Sequence, residues 1–196
     1  MNAPLTTQLC SLRIRTGHES LSAFARLYLP HRFPLPWSRM HKELCNDLHA
    51  IGDGSPVRLV LSAPDGYGKS SLVSFAFVIW ALAYQRAKCI VIGSSSRNAA
   101  GELLGGIDTE LRQNRLLQRD FPHLRTIARS SGASGSRASP PRLIAVPGVA
   151  KVHTIGPSSH LTEVSFEGTR PELFILDEFD QGFDPLRPTD EQSRRS

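Results

Sequence analysis

The sequence predicts an α/β fold in which a mostly parallel sheet is flanked by helices. Three observations carry that expectation. Short, branched, apolar segments at 57–63 (VRLVLSA), 88–93 (KCIVIG) and 173–176 (LFIL) have the length and composition of buried strands. The run 72–84 (LVSFAFVIWALAY) lies between the first two and is too long for a strand, so it reads as a buried helix. Strand–helix–strand–helix alternation of this kind builds parallel sheets through crossover connections.

The elements follow in order. Residues 20–29 (SLSAFARLYL) are helix-like, and Pro30, Pro34 and Pro36 then punctuate 31–37 (HRFPLPW). Helix resumes after Ser38, a good N-cap, with Met40, Leu44, Leu48 and Ile51 at three-to-four spacing until Gly52 and Gly54 end it. After the second strand, Ser94 to Ser96 cap a helix whose apolar face is Ala100, Leu103, Leu104, Ile107 and Leu111. Residues 129–141 (RSSGASGSRASPP) are small, polar and basic, and read as a flexible loop. Extended pieces are expected at 142–146, 151–155 and 161–166. The division is therefore a helical lead-in at 1–55, a core at 56–181 containing the 129–141 insert, and a polar tail or linker at 182–196.

Composition narrows the function classes. At 196 residues, 40% hydrophobic and 21% charged, the chain has the makings of one core-forming domain. Its three cysteines (Cys10, Cys45, Cys89) include no CxxC pair, which argues against a disulfide framework or zinc ribbon and for a reducing compartment. The longest apolar run falls short of the ~20 residues a bilayer requires, and no membrane association is expected. The net charge is +5, but residues 112–142 alone hold seven arginines against one aspartate. That local excess suits a polyanion and competes with the plainer reading of a solvated helix end and loop. Phe121 is the only aromatic residue interleaved there, so any nucleic-acid contact would be sequence-independent.

Two motifs carry chemistry. The first is 63–71 (APDGYGKSS), lying between an expected strand and an expected helix. Amides at a helix N-terminus cradle phosphate oxygens, and glycine keeps side chains out of their way. Pro64, Asp65, Gly66, Tyr67, Gly68, Lys69, Ser70 and Ser71 form this phosphate loop, with Lys69 on the outer phosphates and the Ser70 hydroxyl on Mg²⁺. Ala63 stands where the usual pattern has glycine. The second motif is 173–180 (LFILDEFD), which puts Asp177 and Glu178 at the carboxyl end of a buried strand, where ligands sit in open α/β sheets. Asp177 suits the Mg²⁺ shell, and Glu178 suits activation of an attacking water. The pair points to a P-loop NTPase of the additional-catalytic-glutamate class, with ATP and Mg²⁺ as substrate and cofactor.

Other residues carry weaker signals. His41, Cys45 and His49 recur every four residues, a metal-ligand spacing, but the same helix has an apolar face to bury and that is the better reading. Asp180 and Asp184 read as a solvated linker rather than as a nuclease cluster.

Four stretches give the chain a family resemblance: 24–44 (FARLYLPHRFPLPWSRMHKEL), 63–71, 90–114 (IVIGSSSRNAAGELLGGIDTELRQN) and 166–180 (FEGTRPELFILDEFD). Together they resemble the N-terminal ATPase domain of the large terminase subunit, the DNA-packaging motor of tailed bacteriophages. The resemblance spans roughly 20–181 and is poor across 129–150. It implies ATP hydrolysis that drives double-stranded DNA into a procapsid, by a homo-oligomeric ring working with a small terminase subunit and a portal in the host cytoplasm. It carries Lys69 and Ser70 to phosphate and Mg²⁺, Asp177 to Mg²⁺ and Glu178 to the catalytic base, and it places Phe33 or Trp37 beside the adenine.

Two departures stand out. Many members have an arginine where this chain has Asp65, which moves the search for an arginine finger or DNA contact to Arg170, Arg112, Arg115 and Arg119, in cis or from a neighbouring subunit. Members also continue into a nuclease domain that has no counterpart in this sequence. Two alternatives stay open: a helicase-like or other P-loop motor, and a truncated, catalytically idle remnant that binds nucleotide or DNA.

Overall fold

A computed structural model describes residues 3–53, 58–64, 66–131, 141–157 and 168–178. Its class is α/β. Helices α1 (Ala3–Glu19), α2 (Leu21–Tyr28) and α3 (Arg39–Gly52) precede a helix that runs as a π stretch over Ser71–Ala76 and then as α4 (Phe77–Ala83). Strand β1 (Cys89–Ser94) leads into α5 (Arg97–Gln113) and α6 (Arg115–Asp120), followed by β2 (Ala128–Ser131), β3 (Pro141–Val146), β4 (Ala150–Ile155) and β5 (Leu173–Asp177).

The sheet order is β2-β3-β4-β1-β5. Strands β4, β1 and β5 run parallel, while β2 and β3 are antiparallel to their neighbours. The sheet is thus mixed but mostly parallel in direction, with β3 alone running against the other four strands. The cause is local: Gly148 takes φ +69°, and the short turn after β3 folds β4 back as a hairpin.

Every residue of β1 is buried, as a strand with a parallel neighbour on each side requires. Helix α5 packs across β1, β3 and β4 with Ala100, Leu104, Ile107 and Leu111 buried, the expected face apart from a half-buried Leu103. The 71–83 helix supplies the largest share of the core, with Leu72, Phe77, Ile79, Trp80 and Leu82 all buried. Each such side chain contributes about 1.5–3 kcal/mol of burial. Gly52, the last residue of α3, is glycine for a steric reason: a Cβ there would lie 2.3 Å from the Trp80 ring.

Three elements depart from the sequence expectation. Residues 58–64 join no ladder, so the strand expected at 57–63 is not formed among the described residues. Val60 is 92% exposed, and the edge strand β5 leaves Phe174 and Leu176 about half exposed at 48% and 58%. An apolar run records that a segment suits burial; it does not supply the neighbouring edge that completes a ladder. Helix α1 falls inside the helical lead-in expected at 1–55, where no separate element is expected over 3–19, and α6 has no counterpart in the sequence expectation. Leu9 and Leu12 of α1 point outward, so no apolar stripe announces it. Hydrogen bonds hold it instead, from Trp80 Nε1 to Gly17 O (2.9 Å) and from Tyr84 OH to Ile14 O (2.8 Å).

The expected 129–141 loop is shorter than its composition suggests, because Ala128–Ser131 pairs with β3 and Pro141 begins that strand. Residues 132–140, the extended piece at 161–166 and the tail at 182–196 lie outside the described residues, as do Asp65, Asp180 and Asp184. No helix among the described residues is long and apolar enough to cross a membrane.

Candidate functional site

The loop leading into the 71–83 helix has the backbone that its glycines allow. Gly66 and Gly68 lie at φ +80° and +72°, left-handed values that other residues adopt only under strain. The first helical turn closes with Leu72 N–H donating to Gly68 O at 3.0 Å. The Lys69 ammonium donates back into the loop, to Ala63 O and, at 3.0 Å, to Pro64 O. Tyr67 projects outward at the tip.

The two sequence motifs meet. Ser70 Oγ donates to Asp177 Oδ1 at 3.0 Å, joining residues 107 positions apart. Ser74, one turn further along, is buried and donates to Asp177 Oδ2 at 2.8 Å. Neither sequence motif includes Ser74, which lies inside the apolar run 72–84. The available signal was a hydroxyl four residues after the Ser70 hydroxyl, on the same helical face. Asp177 ends β5 beside Ser94, the last residue of β1, so the carboxylate sits at the carboxyl ends of two parallel strands. Glu178 follows at φ +50°, a left-handed conformation that is costly for a residue with a side chain. Such strain gathers at functional positions. A cleft of about 370 Å³ runs from Ser70, Asp177 and Glu178 to Arg32 and Phe75.

The aromatic residues expected near the base lie on the approach to the loop. Phe33 and Trp37 pack together with ring centroids 5.1 Å apart, and Trp37 lies 6.0 Å from the His41 ring. Nδ1 of His41 accepts from the Ser38 amide at 3.2 Å, which leaves Nε2 to donate to Tyr67 O at 3.0 Å. His41 therefore ties the N-terminus of α3 to the loop, a link that spacing alone does not reveal.

The metal spacing at His41, Cys45 and His49 does not produce a site. Cys45 is buried in the core, and burial pushes its thiol up to about 12, away from the thiolate that a metal would need. His49 bonds His18 O at 2.9 Å and packs on Trp80. Among the described residues no group of three or more His, Cys, Asp or Glu side chains is arranged to hold a metal.

The arginine candidates are dispersed. Arg170 is exposed and precedes β5, whereas Asp177 ends it; the strand alone separates them by about 13 Å. Within one chain it does not reach the acidic pair. Arg112 pairs with Asp108 at 2.9 Å and also donates to Ile127 O, and Arg119 pairs with Asp120 at 3.1 Å. Arg125 donates to Gln118 O, while Arg115 and Arg142 are exposed. Part of the basic cluster thus fastens α5 and α6 to their surroundings.

Asp120 is the structural counterpart of this site. Its side chain is fully buried, and it accepts from Arg13 (2.8 Å), Tyr28 (3.0 Å), Cys10 (3.2 Å) and Arg119. Burial by itself would raise its pKa; the hydrogen bonds from Arg13 and the other donors outweigh that and lower it below the ordinary carboxylate value. A scan against protein-family models gives no match, and neither the curated proteins nor the solved structures compared with the chain match it.

Proposed function

We propose that this chain is the ATPase domain of a phage DNA-packaging terminase, using ATP hydrolysis to move double-stranded DNA into a procapsid. The observation that carries the reading is the contact between Ser70 and Asp177, which unites a glycine-rich, lysine-bearing loop with an acid at a strand terminus. A hydroxyl and a carboxylate 3.0 Å apart are hard oxygen donors. They fit Mg²⁺, which takes one or two protein ligands and completes its shell with phosphate and water. When bound, the ion would neutralise charge on the transferring phosphoryl group.

The chain's own residues then divide the work. Amides of residues 66–71 orient the phosphates, and Gly66 and Gly68 let the backbone approach them. Lys69 exchanges its loop carbonyls for the outer phosphates as the triphosphate enters. Ser74 fixes the Asp177 carboxylate in orientation. Glu178, held in its left-handed conformation at the rim, accepts the proton of the attacking water. Among the described residues of the basic segment, the exposed Arg115 and Arg142 form no ion pair and would meet DNA phosphates, in a ring that would also engage a small terminase subunit and a portal.

A phosphate-release assay of the purified chain, with and without DNA, tests this reading. Turnover stimulated by double-stranded DNA and abolished by Lys69→Ala is the expected result. A preference for single strands would favour a helicase-like motor, and absence of turnover would favour a binding remnant.

A further inference from the structure

We propose that Arg32 is the cation this site presents in cis to the terminal phosphate of a nucleoside triphosphate, so that the site distinguishes a triphosphate from a diphosphate. The inference rests on reading the cleft of Ser70 and Asp177 as a nucleotide site.

Arg32 closes the 3-10 turn Pro30–Arg32, which follows the fully buried Leu29 and so starts from a fixed point of the core. His31 turns to α5 and pairs with Glu110 at 2.9 Å. Arg32 instead lies over the Phe75 ring, its Cζ 4.1 Å from the centroid. Gly106 of α5 leaves the room for it: a Cβ there would sit 3.5 Å from Arg32 Nη2. Phe75 belongs to the π stretch that also carries Ser74, one turn beyond Ser70. The guanidinium is therefore positioned by the same helix that holds Asp177.

Arg32 shares one cleft of about 370 Å³ with Ser70, Asp177 and Glu178. That volume equals roughly a dozen waters, the scale of a phosphate group with its hydration. Stacking on an aromatic face engages the π surface of a guanidinium and leaves its in-plane N–H donors for another partner. Arg32 is solvent-exposed and, among the described residues, forms no ion pair, as is also true of Arg26 stacked on Trp37; what sets Arg32 apart is the cleft it shares with Ser70 and Asp177. The described lining of the cleft sets the exposed Arg32 beside the acids Glu102, Asp177 and Glu178, so a phosphate carried there with Mg²⁺ would meet the metal at the Ser–Asp pair and the guanidinium within the same cleft.

The test compares equilibrium binding of AMP-PNP and of ADP, each with Mg²⁺, to the wild-type chain and to Arg32→Met, Arg32→Lys and Lys69→Ala. Methionine keeps an apolar stem over Phe75, and thermal denaturation without nucleotide checks that each variant is folded. Arg32→Met is expected to weaken AMP-PNP about 10- to 100-fold, the worth of a charge-assisted contact, and ADP less than about 3-fold. Arg32→Lys should restore part of the difference.

Equal losses for the two nucleotides, or none, in a wild type that binds would overturn the Arg32 assignment alone. A wild type that binds neither nucleotide, or a Lys69→Ala chain that binds like wild type, would overturn the nucleotide site and the Arg32 assignment with it.

Discussion

Ser74 Oγ donates to Asp177 Oδ2 at 2.8 Å while Ser70 Oγ takes Oδ1, so a single helix satisfies both oxygens of one carboxylate. Ser74 is buried, and its loss would leave Oδ2 without that donor. Ser74→Ala should cost about 1–2 kcal/mol in urea unfolding. It should also raise the Mg²⁺ concentration that half-saturates nucleotide binding, read by titration at fixed nucleotide. A variant with unchanged stability and unchanged Mg²⁺ dependence would remove Ser74 from the site.

Gly68 has φ +72° and open space around it, the nearest atom to an added Cβ being His41 Nε2 at 3.7 Å. The objection to alanine there is conformational and not steric. Gly68→Ala should destabilise the loop by about 1–2 kcal/mol and weaken triphosphate binding about tenfold or more. Wild-type affinity in this variant would show that the loop does not need the left-handed backbone.

His41 links the α3 N-cap to the loop through Tyr67 O. His41→Ala removes that tie and leaves the core intact, since His41 is only partly buried. The amides of Gly66 to Gly68 should exchange with solvent about 3- to 10-fold faster by hydrogen–deuterium exchange, the effect of losing roughly one hydrogen bond. The Ser38 amide loses its Nδ1 acceptor as well, and protection beyond the loop and the first turn of α3 should stay as in wild type.

The Asp120 cluster gives a pH-dependent prediction with a definite sign. Its folded pKa is lowered, so its contribution is complete above the unfolded value near ~3.9 and is lost as pH falls through the folded one. Asp120→Asn leaves Arg13 without its buried counter-charge and should cost about 3 kcal/mol at pH 7. Urea unfolding at pH 7, 5 and 3 should show the gap between wild type and variant hold from 7 to 5 and narrow at 3. A gap that widens toward acid would reverse the assigned sign.

How much of this was legible in the sequence depends on where each signal was stored. Helix α3 declared itself through Ser38 and the spacing of Leu44 and Leu48, both of which are buried as expected. Ser96 and the α5 face did the same, because capping and periodicity are local properties. The loop and Asp177 were legible as motifs. Their meeting was not, since a contact spanning 107 residues depends on the strand order β1-β5. Helix α1 escaped because long-range hydrogen bonds to Gly17 and Ile14 hold it, with no apolar stripe to announce it. The strand expected at 57–63 failed for the opposite reason, a local pattern without a paired edge. Arg32 and Ser74 were overlooked because neither belongs to a recognised motif; only the shared cleft and the shared carboxylate bring them to the site.

In the proposed function Glu178 activates water at a site built on Ser70 and Asp177. Steady-state phosphate release by the purified chain is compared with that of Glu178→Gln in the presence of Mg²⁺ and double-stranded DNA. Glu178→Gln is expected to bind ATP with near wild-type affinity and to lose turnover by about 100-fold or more. Undiminished turnover in Glu178→Gln would remove Glu178 from the role of base.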